Sequence, residues 1–385
     1  HSMDIITLQD IKSLVEIKDD YAISIFLNTH RYGKDTQQDP IRLRNLISNV
    51  EKQLLSGGLN HPTVQKILEP AQELLLQSGF WKHTSDGLVI YISSGIFKAY
   101  RLPIEFDELI VISTTLHLKP LLPYFARDGH FYVLALSQNL IRFFEGTRYT
   151  VDEIFLEETL PNLAEGMKSL EFSKELQFHT GTSDKHGGLN AAVFHGHDPS
   201  DDDVKRLLNW FHKVDKALAS FLADEKSPLV LAGVDHLIPL FRKASTYQNI
   251  VEENISGNPD QWSTKEIHEK ALPIIEPIFK KDKNAAIEKY QNVKSNQLTS
   301  NAIDEVIFYA HQGRIDTLFI ADGEKVWGTF DLKKQTLKVH REQDTGDHDL
   351  LNISAVQTML NGGDVYVVAS EKVPDGSQLA AILRY

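Results

Sequence analysis

Apolar and polar positions along the chain change period several times, and the changes divide it into three α/β regions. In the first, Ala22–Leu27 (AISIFL) is apolar at every position but Ser24 and predicts a buried strand. A polar stretch, THRYGKDTQQDP, follows as a long loop. Ile41, Leu46, Ile47, Val50 and Leu54 then recur at helical spacing, with Pro40 suited to the first turn. A second helix is predicted around Val64–Leu76, kinked at Pro70. Leu88–Ser93, Gly95–Leu102 and Leu109–Ser113 read as strands. This region forms an α/β domain over residues 1–117.

The second region covers residues 118–294. From Phe131, FYVLALSQNLIRFFEGTRYTVDEI reads as a meander of short strands, with turns at Ser137-Gln138-Asn139 and Gly146-Thr147. A polar stretch leads to DKHGGLNAAVFHG, Asp184–Gly196, in which Asn190–His195 reads as a strand. Asp198-Pro199-Ser200-Asp201-Asp202-Asp203 places cap residues and acids at the start of a helix. Its apolar stripe is Val204, Leu207, Leu208, Phe211, Val214, Leu218 and Phe221. Pro228–Ala232 (PLVLA) reads as a buried strand closing a βαβ unit, and helical stretches follow around Thr264–Phe279 and Asn284–Tyr290. The third region, residues 295–385, alternates helix Ile303–His311, strand Thr317–Ala321, the strand pair VWGTFDLKKQTLKVHRE, helix Leu351–Leu360 and strands Val365–Ala369 and Leu379–Leu383. Gly362-Gly363 is a helix stop signal. The pattern predicts a small α/β/α sandwich.

Composition narrows the function. The chain of 385 residues is 42% hydrophobic and 24% charged, the mix of a globular protein. It shows no apolar run long enough to span a bilayer. The opening His1-Ser2-Met3 reads as a tag remnant before a native Met3, and no signal sequence is expected. With no cysteine, disulfides, thiolate nucleophiles and cysteine zinc sites are excluded, in keeping with a cytoplasmic protein. A net charge of −13 argues against indiscriminate binding to nucleic acid, DNA included, while leaving room for local basic patches.

Three stretches hold candidate chemistry. Gly187-Gly188 is the most flexible dipeptide of its region, beside Lys185 and His186. Glycines are kept where backbone must take unusual angles or approach another surface. His179, His186, His195 and His197 cluster in sequence and suggest a metal-assisted hydrolase, although their spacing matches no HExxH-type motif. The first loop offers His30 and Arg31, and Arg42 and Arg44 sit on the first helical turns. Arginines at a helix start oppose its dipole, so either a carboxylate such as Asp39 or a bound phosphate compensates them. No Walker loop, GxSxG elbow or GxGxxG is present, and no cofactor is implied.

KHGGLNAAVFHGH (Lys185–His197), AHQGRIDTLFIAD (Ala310–Asp322) and the terminal LAAILRY (Leu379–Tyr385), in this order, resemble the archaeal and eukaryotic class-one peptide-chain release factors and their ribosome-rescue paralogues. SIFLNTHRYGKDTQQDPIRLRNL (Ser24–Leu46) is similar to the bacterial branch of that superfamily. The resemblance implies a ribonuclease-H-like middle domain and a C-terminal domain like ribosomal protein L7Ae. It implies a ribosome-associated factor whose Gly-Gly loop reaches the peptidyl-tRNA ester, with ribosomal RNA and peptidyl-tRNA as partners and a GTPase partner for the third domain. Gly187, Gly188, Leu189 and Asn190 would form the catalytic tip, with Lys185 and His186 on RNA phosphate. Leu189 stands where the family has Gln, so a backbone amide rather than a side chain would face the ester. The Asn-Ile-Lys-Ser stop-codon motif of the eukaryotic factors is missing, and codon-specific termination is not implied. Nor is nuclease chemistry: FYVLAL and IRFF carry no acid between Asp128 and Glu145. A protein-binding adaptor without chemistry is the remaining alternative.

Overall fold

The computed structural model describes residues 6–137, 140–156, 201–222, 226–344 and 346–385. In chain order, α1 is Leu8–Val15, β1 Lys18–Asn28, α2 Asp39–Ser56, α3 His61–Leu75, β2 Gly87–Ser93, β3 Ile96–Leu102 and β4 Leu109–Thr115. The middle of the chain supplies β5 Phe131–Leu136, β6 Ile141–Gly146, β7 Val151–Ile154, α4 Asp201–Leu222, β8 Leu229–Gly233, α5 Leu237–Ala244 and β9 Ile255–Ser256. Then come α6 Thr264–Val293, β10 Thr299–Ser300, α7 Ile303–His311, β11 Ile315–Ala321, β12 Trp327–Asp331, β13 Thr336–His340, β14 His348–Asp349, α8 Leu350–Leu360, β15 Asp364–Val368 and β16 Leu379–Leu383. The architecture is mixed α/β, as the periodicity predicts.

The chain forms two compact units. One comprises His1–His130, Gly146–Asp152 and Ile275–Tyr385; the other comprises Phe131–Glu145 and Glu153–Ile274. In the first unit, an antiparallel sheet runs in the order β3-β2-β1-β4. Its two faces enter different cores. Ile23, Ile25 and Leu27 of β1, with Leu88, Ile90 and Ile92 of β2, pack with the α2 and α3 residues Leu43, Ile47, Val50, Val64, Leu68 and Ala71. Ala22 and Phe26, with Val89 and Tyr91, belong to a core that continues into the C-terminal elements through Val306, Leu318, Leu350, Ala355 and Val365. Side chains alternate across a strand, so burial of both faces requires an uninterrupted apolar run. AISIFL meets that requirement, and its one polar residue, the buried Ser24, accepts the His117 backbone N–H at 2.9 Å through its hydroxyl.

The C-terminal part of this unit is layered helix, sheet, helix. The sheet order is β10-β16-β11-β15, with β11 and β15 parallel and β16 antiparallel to β11. One face carries Leu318, Ile320, Leu379 and Ala381 toward the shared core with α7 and α8. The other carries Phe319, Ala321, Tyr366, Ala380 and Ile382 toward Ala286, Ile287 and Tyr290 of α6. At the end of α8, Gly362 has φ +78°. A Cβ on Gly363 would lie 2.7 Å from the Ile315 carbonyl oxygen, so the stop signal is also a close backbone approach. A second sheet, β13-β12-β14, is an antiparallel appendage.

The second unit is built on the sheet order β7-β6-β5-β8-β9, with β5 parallel to β8 and β8 parallel to β9. One reading from periodicity differs from the structure. Thr264–Phe279 and Asn284–Tyr290 are parts of one helix, α6, which continues through Lys280–Lys283. Helix α3 runs to Leu75 with Pro70 inside it.

Candidate functional site

Gly187, Gly188, Leu189, Asn190, Lys185 and His186 lie outside the described residues, as do His179, His195 and His197. Their flanks are described. The segment leaves β7 through the buried Leu156 and is followed by α4. This helix begins with Asp201, Asp202 and Asp203, carboxylates at the end where unpaired backbone N–H groups carry partial positive charge. Trp210, Phe211, Val214, Leu218 and Leu222 are buried along it. The periodic stripe anticipated Phe211, Val214 and Leu218, whereas Trp210 and Leu222 are not among its positions. Asp215 fixes the far end of the unit's helical layer. Its carboxylate accepts the Thr246 backbone N–H and hydroxyl, both at 2.9 Å, and the Ser245 hydroxyl at 2.5 Å.

In the same unit, Arg142 on β6 locks the sheet edge. Its Nε and Nη2 donate to the two oxygens of Glu153 on β7 at 2.8 and 2.9 Å. Its Nη1 donates to the carbonyls of Pro259 and Trp262 at 2.9 and 2.8 Å. The fork geometry of guanidinium lets one side chain hold two strands and a loop. Hydrogen bonding to Glu153 raises the Arg142 pKa against the opposing effect of burial.

The N-terminal candidates are all described, and three of the four are engaged internally. Asp39, fully buried at the start of α2, accepts the His30 backbone N–H at 2.8 Å and pairs with His30 Nδ1 at 2.8 Å. Arg42 donates to the Asn28 carbonyl and side-chain oxygen at 3.0 and 2.6 Å and pairs with Asp39 at 3.5 Å. Arg31 donates through Nε and Nη2 to Asp86 at 2.8 and 3.2 Å and through Nη1 to the Val151 carbonyl at 2.8 Å. It also pairs with Asp152, which in turn accepts from the Ser85 hydroxyl. Arg44 is exposed on α2. The loop is thus pinned to the sheet end by a carboxylate network, with Thr84 donating to the His30 carbonyl at 2.5 Å.

The network has unequal charges. Burial disfavours the Arg31 cation, but the Asp86 hydrogen bond and the charges of Asp152 and Asp86 outweigh it and raise its pKa. Burial pushes the Asp152 carboxyl up to about 6, partly offset by Arg31 and Ser85. Asp86, Ser85 and Asp152 were not singled out from sequence. Nothing local marks them, because they reach Arg31 only through strand pairing and tertiary packing.

Among the described residues, no group of three or more His, Asp or Glu side chains is arranged to hold a metal ion. No helix among them is long and apolar enough to cross a membrane.

Comparison with known proteins gives one family match and several similar solved structures. The model of bacterial archaeo-eukaryotic release factor family 7 matches residues 131–277. No curated protein matches the chain. Solved structures similar to it include the archaeal translation termination factor aRF1, at 13% identity over 99% of this chain and 99% of that one, with a TM-score of 0.25. Pelota of Archaeoglobus fulgidus shares 13% identity over 100% of this chain and 94% of its own, with a TM-score of 0.26. An archaeal Pelota from a ribosome-bound model with ABCE1 shares 11% over 100% and 95%, with a TM-score of 0.38. At these identities and scores the neighbours assign no role to any residue here. The family match runs from β5 into the first half of α6, including the Gly-Gly stretch and the helix that follows it, so the middle of the chain is similar to bacterial archaeo-eukaryotic release factor family 7.

Proposed function

We propose that this chain is a ribosome-associated translation factor of the release and rescue type, which brings Gly187-Gly188 toward the peptidyl-tRNA ester. The observation that carries the reading is the family match over residues 131–277, which contains the whole Lys185–His197 stretch. The chemistry follows from the residues. Two glycines let the backbone pass between RNA surfaces without side chains. A backbone N–H at Leu189 then donates to the negative charge that develops on the ester oxygen. Asn190 is the neighbouring amide side chain, and Lys185 and His186 supply phosphate contacts. Leu189 cannot orient water with a polar group, so hydrolysis by the native chain is slow relative to a glutamine-bearing loop.

On this reading residues 118–294 form the ribonuclease-H-like domain that carries the loop. Residues 295–385 form the L7Ae-like domain, the docking platform for a GTPase, and residues 1–117 form an N-terminal α/β region whose sheet shares a core with it. The test is a peptidyl-tRNA release assay on stalled ribosomes with the native chain, Leu189→Gln and Gly187→Ala/Gly188→Ala. Release should increase for Leu189→Gln, and the double alanine variant should lose whatever release the native chain shows. No ribosome co-sedimentation, together with no change in either variant, would overturn the proposal.

A further inference from the structure

The β12–β13 hairpin is a basic island on an acidic chain. Residues 332–341 (LKKQTLKVHR) contain Lys333, Lys334, Lys338 and Arg341 and no Asp or Glu, whereas the whole chain carries −13. All four cations are exposed. None of their side chains has a hydrogen-bond or ion-pair partner among the described residues. Acids flank the stretch on both sides: Glu342 follows Arg341, and Asp331 is committed to the backbone, its Oδ1 accepting the N–H groups of Lys333 and Lys334 at 2.9 and 3.1 Å. Asp331 shapes the turn, in which Gln335 has φ +51°.

The hairpin is held firmly from behind. Phe330 and Leu337 are paired in register and half-buried against the shared core. A Cβ on Gly328 would lie 2.2 Å from the Lys338 carbonyl oxygen and 2.9 Å from Leu350 Cδ1, so the strands press closely on each other and on α8. His340 Nδ1 pairs with Asp347 at 2.8 Å and secures the exit. Strand alternation then presents the opposite face, with Trp327 across from His340 and Thr329 across from Lys338. The Lys325 ammonium lies 5.7 Å from the Trp327 ring centroid on this side. β13 is the outer strand of its sheet.

We propose that this hairpin, through Lys333, Lys334, Lys338 and Arg341, is an RNA-binding surface that grips the phosphate backbone of structured RNA. Unpaired, exposed cations on a rigid support gain from counterion release without first breaking internal pairs. That distinguishes them from Arg31 and Arg42. The choice of RNA as the polyanion rests on the ribosomal reading above.

The test is fluorescence anisotropy of the full chain with a labelled RNA stem-loop across about 50–200 mM salt. Four phosphate contacts predict an affinity loss of roughly 100-fold over that range, from a slope of about −0.9 per contact. Lys333→Gln/Lys334→Gln/Lys338→Gln should reduce that slope in magnitude by about 2–3 and bind at least tenfold more weakly at the lowest salt. The matching triple Lys→Arg variant should bind like the native chain, which separates charge loss from misfolding. Equal affinity and slope for the native and glutamine chains would overturn the proposal. So would binding of the native chain to phosphatidylserine vesicles but not to the stem-loop. A hairpin effect on the stem-loop combined with no ribosome co-sedimentation would support this surface while removing the ribosomal reading. Normal peptidyl-tRNA release combined with no hairpin effect would do the reverse.

Discussion

Replacing Arg31 with methionine keeps the length of the side chain and removes its charge, and the consequence depends on pH in a way the geometry specifies. In the native chain the guanidinium serves Asp86, Asp152 and the Val151 carbonyl, and all three lie close to the end of the N-terminal sheet. Removing one partner from a buried ion pair costs about 3–5 kcal/mol, because the partner charge is left uncompensated. Here one carboxyl has an alternative. The Asp152 carboxyl rises from 3.8 to about 6 through burial, so it takes up a proton readily. Its folded pKa lies above its unfolded value. Its contribution to stability is therefore fully present below pH 3.8 and is lost as pH rises through 6, on the order of 3 kcal/mol at 1.36 kcal/mol per unit. At pH 5 Asp152 is mostly protonated with or without Arg31, and Arg31→Met forfeits mainly its hydrogen bonds to Asp86 and Val151, about 1–3 kcal/mol. At pH 8 the variant must either bury an unpaired carboxylate or protonate it against the solution, and the loss rises to about 3–5 kcal/mol. Urea unfolding of both chains at the two pH values, followed by far-ultraviolet circular dichroism, measures the difference. Adding Asp152→Asn to Arg31→Met should remove most of the pH dependence. A loss that is the same at pH 5 and pH 8, or below about 1 kcal/mol at pH 8, would refute the assignment of Asp152 as the responsive group.

His117 gives a dependence of opposite sense. Burial, with help from Lys119 and Lys325, holds its imidazole down at about 4, so stability is lost as pH falls from 6.5 toward 4, by about 3 kcal/mol in all. His117→Gln should flatten that acid limb in a circular-dichroism titration. Phe26 meets Tyr91, Phe106 and His117 edge-on at 6.0, 5.3 and 6.0 Å, and Phe26→Ala should cost about 3–5 kcal/mol in urea unfolding. Arg142→Ala should destabilise by about 3 kcal/mol and change the fluorescence of the nearby Trp262. Arg142→Lys should recover little of this, since one ammonium cannot serve two carboxylate oxygens and two carbonyls. Gly87→Ala would put a Cβ 2.0 Å from the Ile104 carbonyl oxygen, and its thermal midpoint should drop by several degrees.

The element pattern was legible where one physical requirement governed each stretch. AISIFL is apolar because β1 is covered on both faces, and VWGTFDLKKQTLKVHRE reads as paired strands because half its positions face water. Legibility failed where a distant contact overrode the local signal. The Lys280-Lys281-Asp282-Lys283 stretch looks like the end of a helix. Yet Lys283 pairs with Asp128 at 3.5 Å and the next turns bury Tyr290, so the helix continues. Nor does any periodicity show that the first and third regions of the chain share one core.

The same distinction decides which cations remain open for a ligand. By residue type alone, His30, Arg31 and Arg42 resemble phosphate contacts and the hairpin lysines resemble ordinary solvated surface. For His30 and Arg42 the structure supplies the carboxylate alternative, Asp39, whereas the partners of Arg31 come from elsewhere in the fold. Strand pairing of β1 with β2 brings Asp86 opposite the end of β1, and packing adds Asp152, 121 positions beyond Arg31 in the chain. A sequence reading cannot anticipate neutralisation by partners so far away. For the hairpin, the partner strand is the neighbouring one, and the residues facing Thr336, Lys338 and His340 in register are Asp331, Thr329 and Trp327. Asp331 is the only acid among them, and backbone N–H groups hold it. A charge whose possible partners are all local can be judged from sequence, whereas one that sits at a sheet end awaits the fold.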